Sequence, residues 1–304
     1  MIVHVMPTYL CDWRCNYCYL GDMTNNPTVL NLDVLSEQLN TIKTKYTIDA
    51  INIYGGEITL LPPDYFNLLL AIVREYADNI SCITNNPSHS YIEHYKDINW
   101  GTSVNEERYK NEETITKLLL KENHIMTVTQ VVTPSVLKMS KKSIFQTISM
   151  LSSSVTFLRY SPSVNNPYWT ISNKDFSDFL KQAIIAYKQT KPSFILQNLE
   201  ELDACIENKY DPTMQSNLFI TPYGQLATIG YTENGLEYFK TLDSLDSFFE
   251  EIEKEKIMYQ SMCNGCSYFN RCYAEHIFQH KKGDICCGLK PLLDWYGENI
   301  YKNH

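Results

Sequence analysis

The sequence predicts an α/β chain, a partial, open (β/α)6 barrel followed by a small cysteine-rich domain with a β-hairpin. Three observations predict it. Six short β-rich runs alternate with helical stretches up to about residue 190, the pattern of a parallel sheet with helices outside. Six units are too few for a closed eight-unit barrel. Beyond them the pattern changes, and five of the ten cysteines crowd into the last part of the chain.

The expected strands are Ile2–Met6, Ala50–Tyr54, Ile80–Thr84, Gly101–Val104, Met126–Val132 and Thr156–Tyr160. Each is short and rich in β-branched or aromatic residues. The expected helices are Leu32–Lys45, Pro63–Tyr76, Ser88–Tyr95, Glu112–Lys121, Lys141–Leu151 and Lys174–Thr190. Phe66, Leu69, Leu70 and Val73 show the three-to-four spacing of a helix face. Asn31 and Asn173 stand where N-caps belong. After the barrel, Asn217–Thr221, the turn Pro222-Tyr223-Gly224 and Gln225–Ile229 read as a hairpin, and a helix follows over Leu242–Lys256. The final cysteine segment reads as loop. The boundary is drawn so that residues 1–212 form the barrel domain and 213–304 the cysteine-rich one.

Composition narrows the function. Lys and Arg number 26 against 35 Asp and Glu, a net charge of −9, which argues against a nucleic-acid partner. No window approaches the roughly 18 apolar residues of a membrane span, and the N-terminus lacks the pattern of a signal peptide. The expectation is a cytoplasmic protein with no membrane partner. Ten cysteines in such a protein point to metal or redox chemistry.

The cysteines fall into two groups. Cys11, Cys15 and Cys18 spell C-x3-C-x2-C directly after strand one. Three thiolates in so short a loop suit three corners of a cubane iron–sulfur cluster, leaving one iron open. A structural zinc wants a fourth ligand, and none follows closely. In an open parallel sheet, ligands sit at the carboxyl ends of the strands. Gly55-Gly56-Glu57 follows strand two, Thr84-Asn85-Asn86 ends strand three, and Ser103 ends strand four, so these features share one rim with the cysteines. Cys263, Cys266 and Cys272 spell C-x2-C-x5-C, with Cys286 and Cys287 beyond. That set suits a second cubane or a structural zinc, and spacing leaves both open.

The C-x3-C-x-aromatic-C loop, Gly55-Gly56-Glu57 and Thr84-Asn85-Asn86 resemble the motifs of the radical S-adenosylmethionine (SAM) enzymes. The resemblance implies a [4Fe-4S] cluster on Cys11, Cys15 and Cys18, with SAM on its open iron and Tyr17 near the adenine. It places Gly55, Gly56 and Glu57 at the SAM ammonium, Ser103 at its carboxylate, and Asn85 within the cofactor site. Asn86 stands in the family's glycine position, where a left-handed residue is tolerated. The hairpin and the second cysteine group resemble the SPASM/twitch extension of peptide-modifying members. Thr228, Ile229 and His276 stand where an inner auxiliary cluster would take cysteines, so one auxiliary [4Fe-4S] cluster is expected, on Cys263, Cys266, Cys272 and Cys286. The register also admits Cys287 as the last ligand. A spare Cys287 is a candidate hydrogen donor to a substrate radical.

The resemblance implies hydrogen abstraction from a ribosomally made peptide, ending in a carbon–carbon or thioether crosslink or in epimerisation. The expected partners are that peptide and an electron donor such as flavodoxin or ferredoxin. With the first strand at residue 2, no leader-recognition domain is expected before the barrel, and a separate protein would deliver the peptide unless it binds the barrel directly. The alternatives are a sulfatase-maturase-like oxidase of a small molecule or folded protein, and a non-catalytic metal-binding or regulatory module. Cys82 and Cys205 read as ordinary buried residues.

Overall fold

The computed structural model describes residues 1–15, 17–86, 90–104, 125–151, 153–160, 171–209, 217–232, 235–272, 286 and 289–303. Seven strands run parallel in chain order: β1 (Ile2–Val5), β2 (Ala50–Ile53), β3 (Ile80–Ile83), β4 (Asn99–Val104), β5 (Ile125–Val132), β6 (Ser154–Arg159) and β7 (Ile195–Leu196). Around them lie α1 (Leu32–Lys45), α2 (Pro63–Arg74), α3 (Ser90–His94), α4 (Pro134–Leu137), α5 (Lys141–Leu151), α6 (Asn173–Thr190) and α7 (Gln197–Ile206). The chain then adds β8 (Leu218–Ile220), parallel to β1 on its free side. β9 (Leu226–Thr232) and β10 (Gly235–Thr241) follow, antiparallel. The helices α8 (Leu245–Cys263) and α9 (Lys290–Asn299) close the described chain. The sheet order is β10-β9-β8-β1-β2-β3-β4-β5-β6-β7. The partial α/β barrel expected from the sequence is thus present.

Local chemistry explains the elements. The Asn31 side chain accepts from the N–H groups of Asp33 and Val34, capping α1, and Leu35, Leu39 and Ile42 form its buried stripe. Pro63 opens α2, where its missing N–H costs nothing, and Phe66, Leu69, Leu70 and Val73 are buried as their spacing predicts. At α6 the cap is Ser172, not Asn173. Ser172 Oγ accepts from Asp175 N–H and the Asp175 carboxylate accepts from Ser172 N–H, a capping box. That frees the Asn173 side chain for bonds outside the helix.

Other elements carried too weak a sequence signal. The strand β7 has two residues and α4 four. The expected hairpin is β8 with β9, while the sequence gives no clear signal for β10, α7 or α9. The expected helix Leu242–Lys256 starts at Leu245 and runs on to Cys263, so this cysteine is helical rather than in a loop. The helix expected over Glu112–Lys121 lies outside the described residues. So do residues 210–216, where the 212/213 division falls, and the sheet continues across it. No described helix is long and apolar enough to cross a membrane.

Strand alternation gives the sheet two faces. Val3, Val5, Ile51, Ile53, Cys82, Trp100, Val128, Val155 and Phe157 join the helices in the main core. The opposite, concave face carries half-buried Asn52, Tyr54, Ser81, Ser103, Thr129, Thr156 and Leu158. Across this face His4 is paired in register with Asn52 and Phe219, and Asn52 with Ser81. Asn52 Nδ2 lies 3.5 Å from His4 Nδ1, and Ser81 Oγ donates to Asn52 Oδ1. The His4 ring lies 5.1 Å from Phe219 and 5.3 Å from Tyr54, centroid to centroid.

Burial pushes the His4 imidazole down from 6.5 to about 4, against a smaller opposing effect of its hydrogen bond with Asn217. The unfolded chain therefore binds a proton between pH 6.5 and 4 that the folded chain refuses, so stability falls as pH falls through this window. Urea unfolding across it is expected to show a loss of about 3 kcal/mol from this residue. The His4→Gln variant is expected to lack that share of the slope, and an unchanged slope would contradict the assignment.

Candidate functional site

The loop leaving β1 carries Cys11, Cys15 and Cys18, and the turn after β2 holds it in place. Gly56 N–H donates to the Thr8 carbonyl at 2.8 Å and Glu57 N–H to the Leu10 carbonyl at 2.7 Å. A Cβ on Gly56 would stand 2.1 Å from the Leu10 oxygen and 2.4 Å from the Tyr9 oxygen. At Gly55, with φ +149°, it would stand 2.6 Å from the Thr8 oxygen. Both glycines are therefore required by the close approach of the cysteine loop's own backbone.

Glu57 is fully buried. Its Oε1 accepts from Thr59 N–H at 3.0 Å, Thr59 Oγ1 at 2.6 Å and Thr84 Oγ1 at 2.6 Å. Its Oε2 accepts from Asn85 N–H at 2.7 Å. Four donors offset the cost of burying a carboxylate. Asn85 in turn reaches the cysteine loop. Its Nδ2 donates to Cys11 Sγ at 3.3 Å and to Asp12 Oδ1 at 3.4 Å. Its Oδ1 is buried without a hydrogen-bond partner among the described residues. The Asn86 N–H donates to Thr84 Oγ1 at 2.9 Å, forming a side-chain turn.

Within the loop, Cys18 N–H donates to the Cys15 carbonyl at 3.0 Å, Cys11 N–H to the Thr24 carbonyl at 3.0 Å, and Trp13 N–H to Cys11 Sγ at 3.4 Å. All three cysteines and Tyr17 are half-buried. Burial pushes the Cys11 thiol up to about 11; Glu57, Asp12 and Cys15 add to this, while the Trp13 N–H opposes it. Burial also raises Cys18. A bare thiolate is disfavoured here, and bound metal removes that penalty because a coordinating thiol is deprotonated outright. Three thiols in one loop with no fourth ligand close by suit an iron–sulfur cluster with one open iron better than a structural zinc, which takes four protein ligands.

An aromatic wall backs the loop. Phe239 lies 5.6 Å from Tyr9, 5.7 Å from Tyr19 and 5.0 Å from Phe219. It takes φ 65° where the β9–β10 register shifts, a conformation that costs a bulky residue energy. No sequence signal marked it. Tyr160, just past β6, is raised to about 12 by burial and by its proximity to Cys18. Ser103 sits on the half-buried concave face of β4, in register with Thr129 of β5.

The second cysteine group rests on the helices. Cys263 ends α8, Cys266 N–H donates to its carbonyl at 2.9 Å, and Cys272 packs against the main core. Asn173 Nδ2 donates to the Cys286 carbonyl at 3.3 Å, while Asn173 Oδ1 accepts from buried Arg159. Lys290 lies close enough to Cys266 and Cys286 to be influenced by both, although its bond to Asp294 dominates. The candidate hydrogen donor Cys287 and His276 lie outside the described residues.

Residues 5–141 match the family model described as the Radical SAM superfamily. No curated protein matches the chain significantly. Among solved structures, the chain is similar to native anSMEcpe with bound AdoMet and Cp18Cys peptide. The TM-score is 0.68 at 12% identity, covering 99% of this chain and 97% of that one. It is also similar to Streptococcus suis SuiB bound to S-adenosylmethionine, with TM-score 0.62 at 14% identity over 94% of this chain and 76% of that one. SuiB bound to the precursor peptide SuiA gives TM-score 0.54 at 15% identity over 74% and 58%. At these identities the likeness is one of fold.

The glycine contacts give a paired expectation. Gly56→Ala is expected to destabilise the fold by about 3 kcal/mol or more, because backbone atoms cannot yield as side chains do. Gly297→Ala, in the last turn of α9 with only Ile206 Cδ1 at 3.4 Å, is expected to stabilise it by about 0.5 kcal/mol. Urea midpoints measure both, and equal effects would refute the packing role of Gly56.

Proposed function

We propose that this chain, whose residues 5–141 match the Radical SAM superfamily model, is an enzyme that abstracts hydrogen from a ribosomally made peptide. The product is a carbon–carbon or thioether crosslink, or an epimerised residue. The observation that carries the reading is the cysteine loop locked to Gly55-Gly56-Glu57 at the carboxyl rim of an open parallel barrel.

When bound, a [4Fe-4S] cluster and SAM would supply the electron and the 5′-deoxyadenosyl radical. Cys11, Cys15 and Cys18 would hold the cluster and leave an iron open. The buried, unpartnered Asn85 Oδ1 is an acceptor suited to the SAM ammonium. Glu57 would act through its hold on Asn85 and the loop, and Tyr17 and Ser103 complete the cofactor site. The small hydroxyl residues Ser103, Thr129 and Thr156 on the concave face leave room for a peptide in the barrel. Cys263, Cys266, Cys272 and Cys286 would hold an auxiliary [4Fe-4S] cluster, whose role is to accept the second electron of a crosslinking step. If the product is an epimer, Cys287 is the candidate donor of the returning hydrogen. A reductant such as flavodoxin or ferredoxin would supply electrons, with a separate leader-recognition protein or direct barrel binding presenting the peptide. Peptides in the two structural relatives, Cp18Cys with anSMEcpe and SuiA with SuiB, support a peptide substrate.

The test is anaerobic reconstitution with iron, sulfide and zinc counted, beside a Cys11/Cys15/Cys18→Ala variant. About eight irons in the parent and about four in the variant are expected, with 5′-deoxyadenosine formed only by the parent after reduction with SAM. Zinc in place of iron, or equal iron in both, would overturn the reading. Mass spectrometry of the peptide then separates the outcomes. A crosslink loses two hydrogens, and epimerisation in D2O gains one deuterium.

A further inference from the structure

We propose that Asn85 raises the reduction potential of the cluster on Cys11, Cys15 and Cys18 by donating a hydrogen bond to the Cys11 sulfur. The inference rests on the cluster assignment above and goes beyond it, since it makes Asn85 a positioning residue that acts through a ligand.

The geometry leaves this amide little freedom. Glu57 Oε2 holds the Asn85 backbone N–H at 2.7 Å, and Glu57 Oε1 holds the Thr84 hydroxyl at 2.6 Å. Thr84 Oγ1 in turn accepts from Asn86 N–H at 2.9 Å. The residues on either side of the Asn85 side chain are thus fixed to one buried carboxylate. Its two Nδ2 hydrogens then meet Cys11 Sγ at 3.3 Å and Asp12 Oδ1 at 3.4 Å. An amide nitrogen only donates, and a ligating thiolate only accepts, so the pairing has one sense. Hydrogen bonds to cluster sulfurs are among the factors that set a cluster's potential. Reduction adds negative charge that the sulfurs share, and an N–H donor stabilises the more negative state. The surroundings make this donor count. Glu57 and Asp12 both place negative charge near Cys11, which opposes reduction.

The experiment is an EPR-monitored redox titration without SAM, following the signal that the Cys11/Cys15/Cys18→Ala variant lacks. In Asn85→Ala, the equilibrium constant for reducing that cluster is expected to fall about tenfold, a shift of about 59 mV to lower potential for one electron. Asn85→Asp, which keeps the shape but turns the donor into a charged acceptor, is expected to fall further. An unchanged or raised potential at parental iron content would overturn the proposal. Should Asn85→Ala fail to take up iron, Asn85→Asp decides. Failure of both to load would make Asn85 a residue of assembly and overturn the proposal as well. A parent lacking the signal would instead overturn the cluster assignment itself, so the two failures are distinguishable.

Discussion

The site depends on one buried carboxylate. Glu57 is tied through its own N–H to the cysteine loop, and its two oxygens gather donors from the turn after β2 and from the end of β3. Three segments far apart in sequence are thereby held at one rim without a cation among the described donors. A buried acid with several donors is stable only while all of them stay in place, because each lost bond exposes a group that water cannot reach. The two glycines before it belong to the same constraint. They remove the side chains that would keep the loop's carbonyls from reaching the turn.

From this anchor the structure builds in two directions. Along the sheet, β8 places Phe219 beside His4, and the strained Phe239 completes an aromatic contact with the residues flanking the cysteines, Tyr9 and Tyr19. Across the barrel, Arg159 at the end of β6 reaches Asn173, which holds the Cys286 backbone. The later cysteine group is thus docked on the same barrel end, by a residue that α6 does not need as its cap.

Much of this was legible in the residues. The apolar spacing of α2, the N-cap of α1 and the convergence of Cys11–Cys18, Gly55-Gly56-Glu57 and Asn85 on one rim rest on local chemistry that a sequence displays directly. Other features rest on pairing or on partners remote in the chain. A two-residue β7 has no periodicity to detect, and β10 contains a register shift that breaks alternation. Asn173 looked like a cap because its type favours that role, but the reciprocal pair Ser172 and Asp175 satisfied the helix end better. At Gly55 and Gly56 an added Cβ would meet carbonyl oxygens of the preceding loop, a packing demand that the sequence alone does not display. Only three dimensions could reveal which neighbour the missing side chains make room for.

The parallel pairing of β8 with β1 has a consequence for how the molecule comes into being. The first strand is not complete until residues 218–220 return to lie beside it, almost the whole length of the barrel later. Such remote contacts are closed slowly and late. During synthesis β1 waits as an open edge, and the aromatic support behind the cysteine loop is not yet made. The support of the cysteine loop is therefore complete only when the chain that follows the barrel has arrived. The fold thus carries a built-in order of assembly, in which an incomplete chain lacks the aromatic wall beside its first cysteine group.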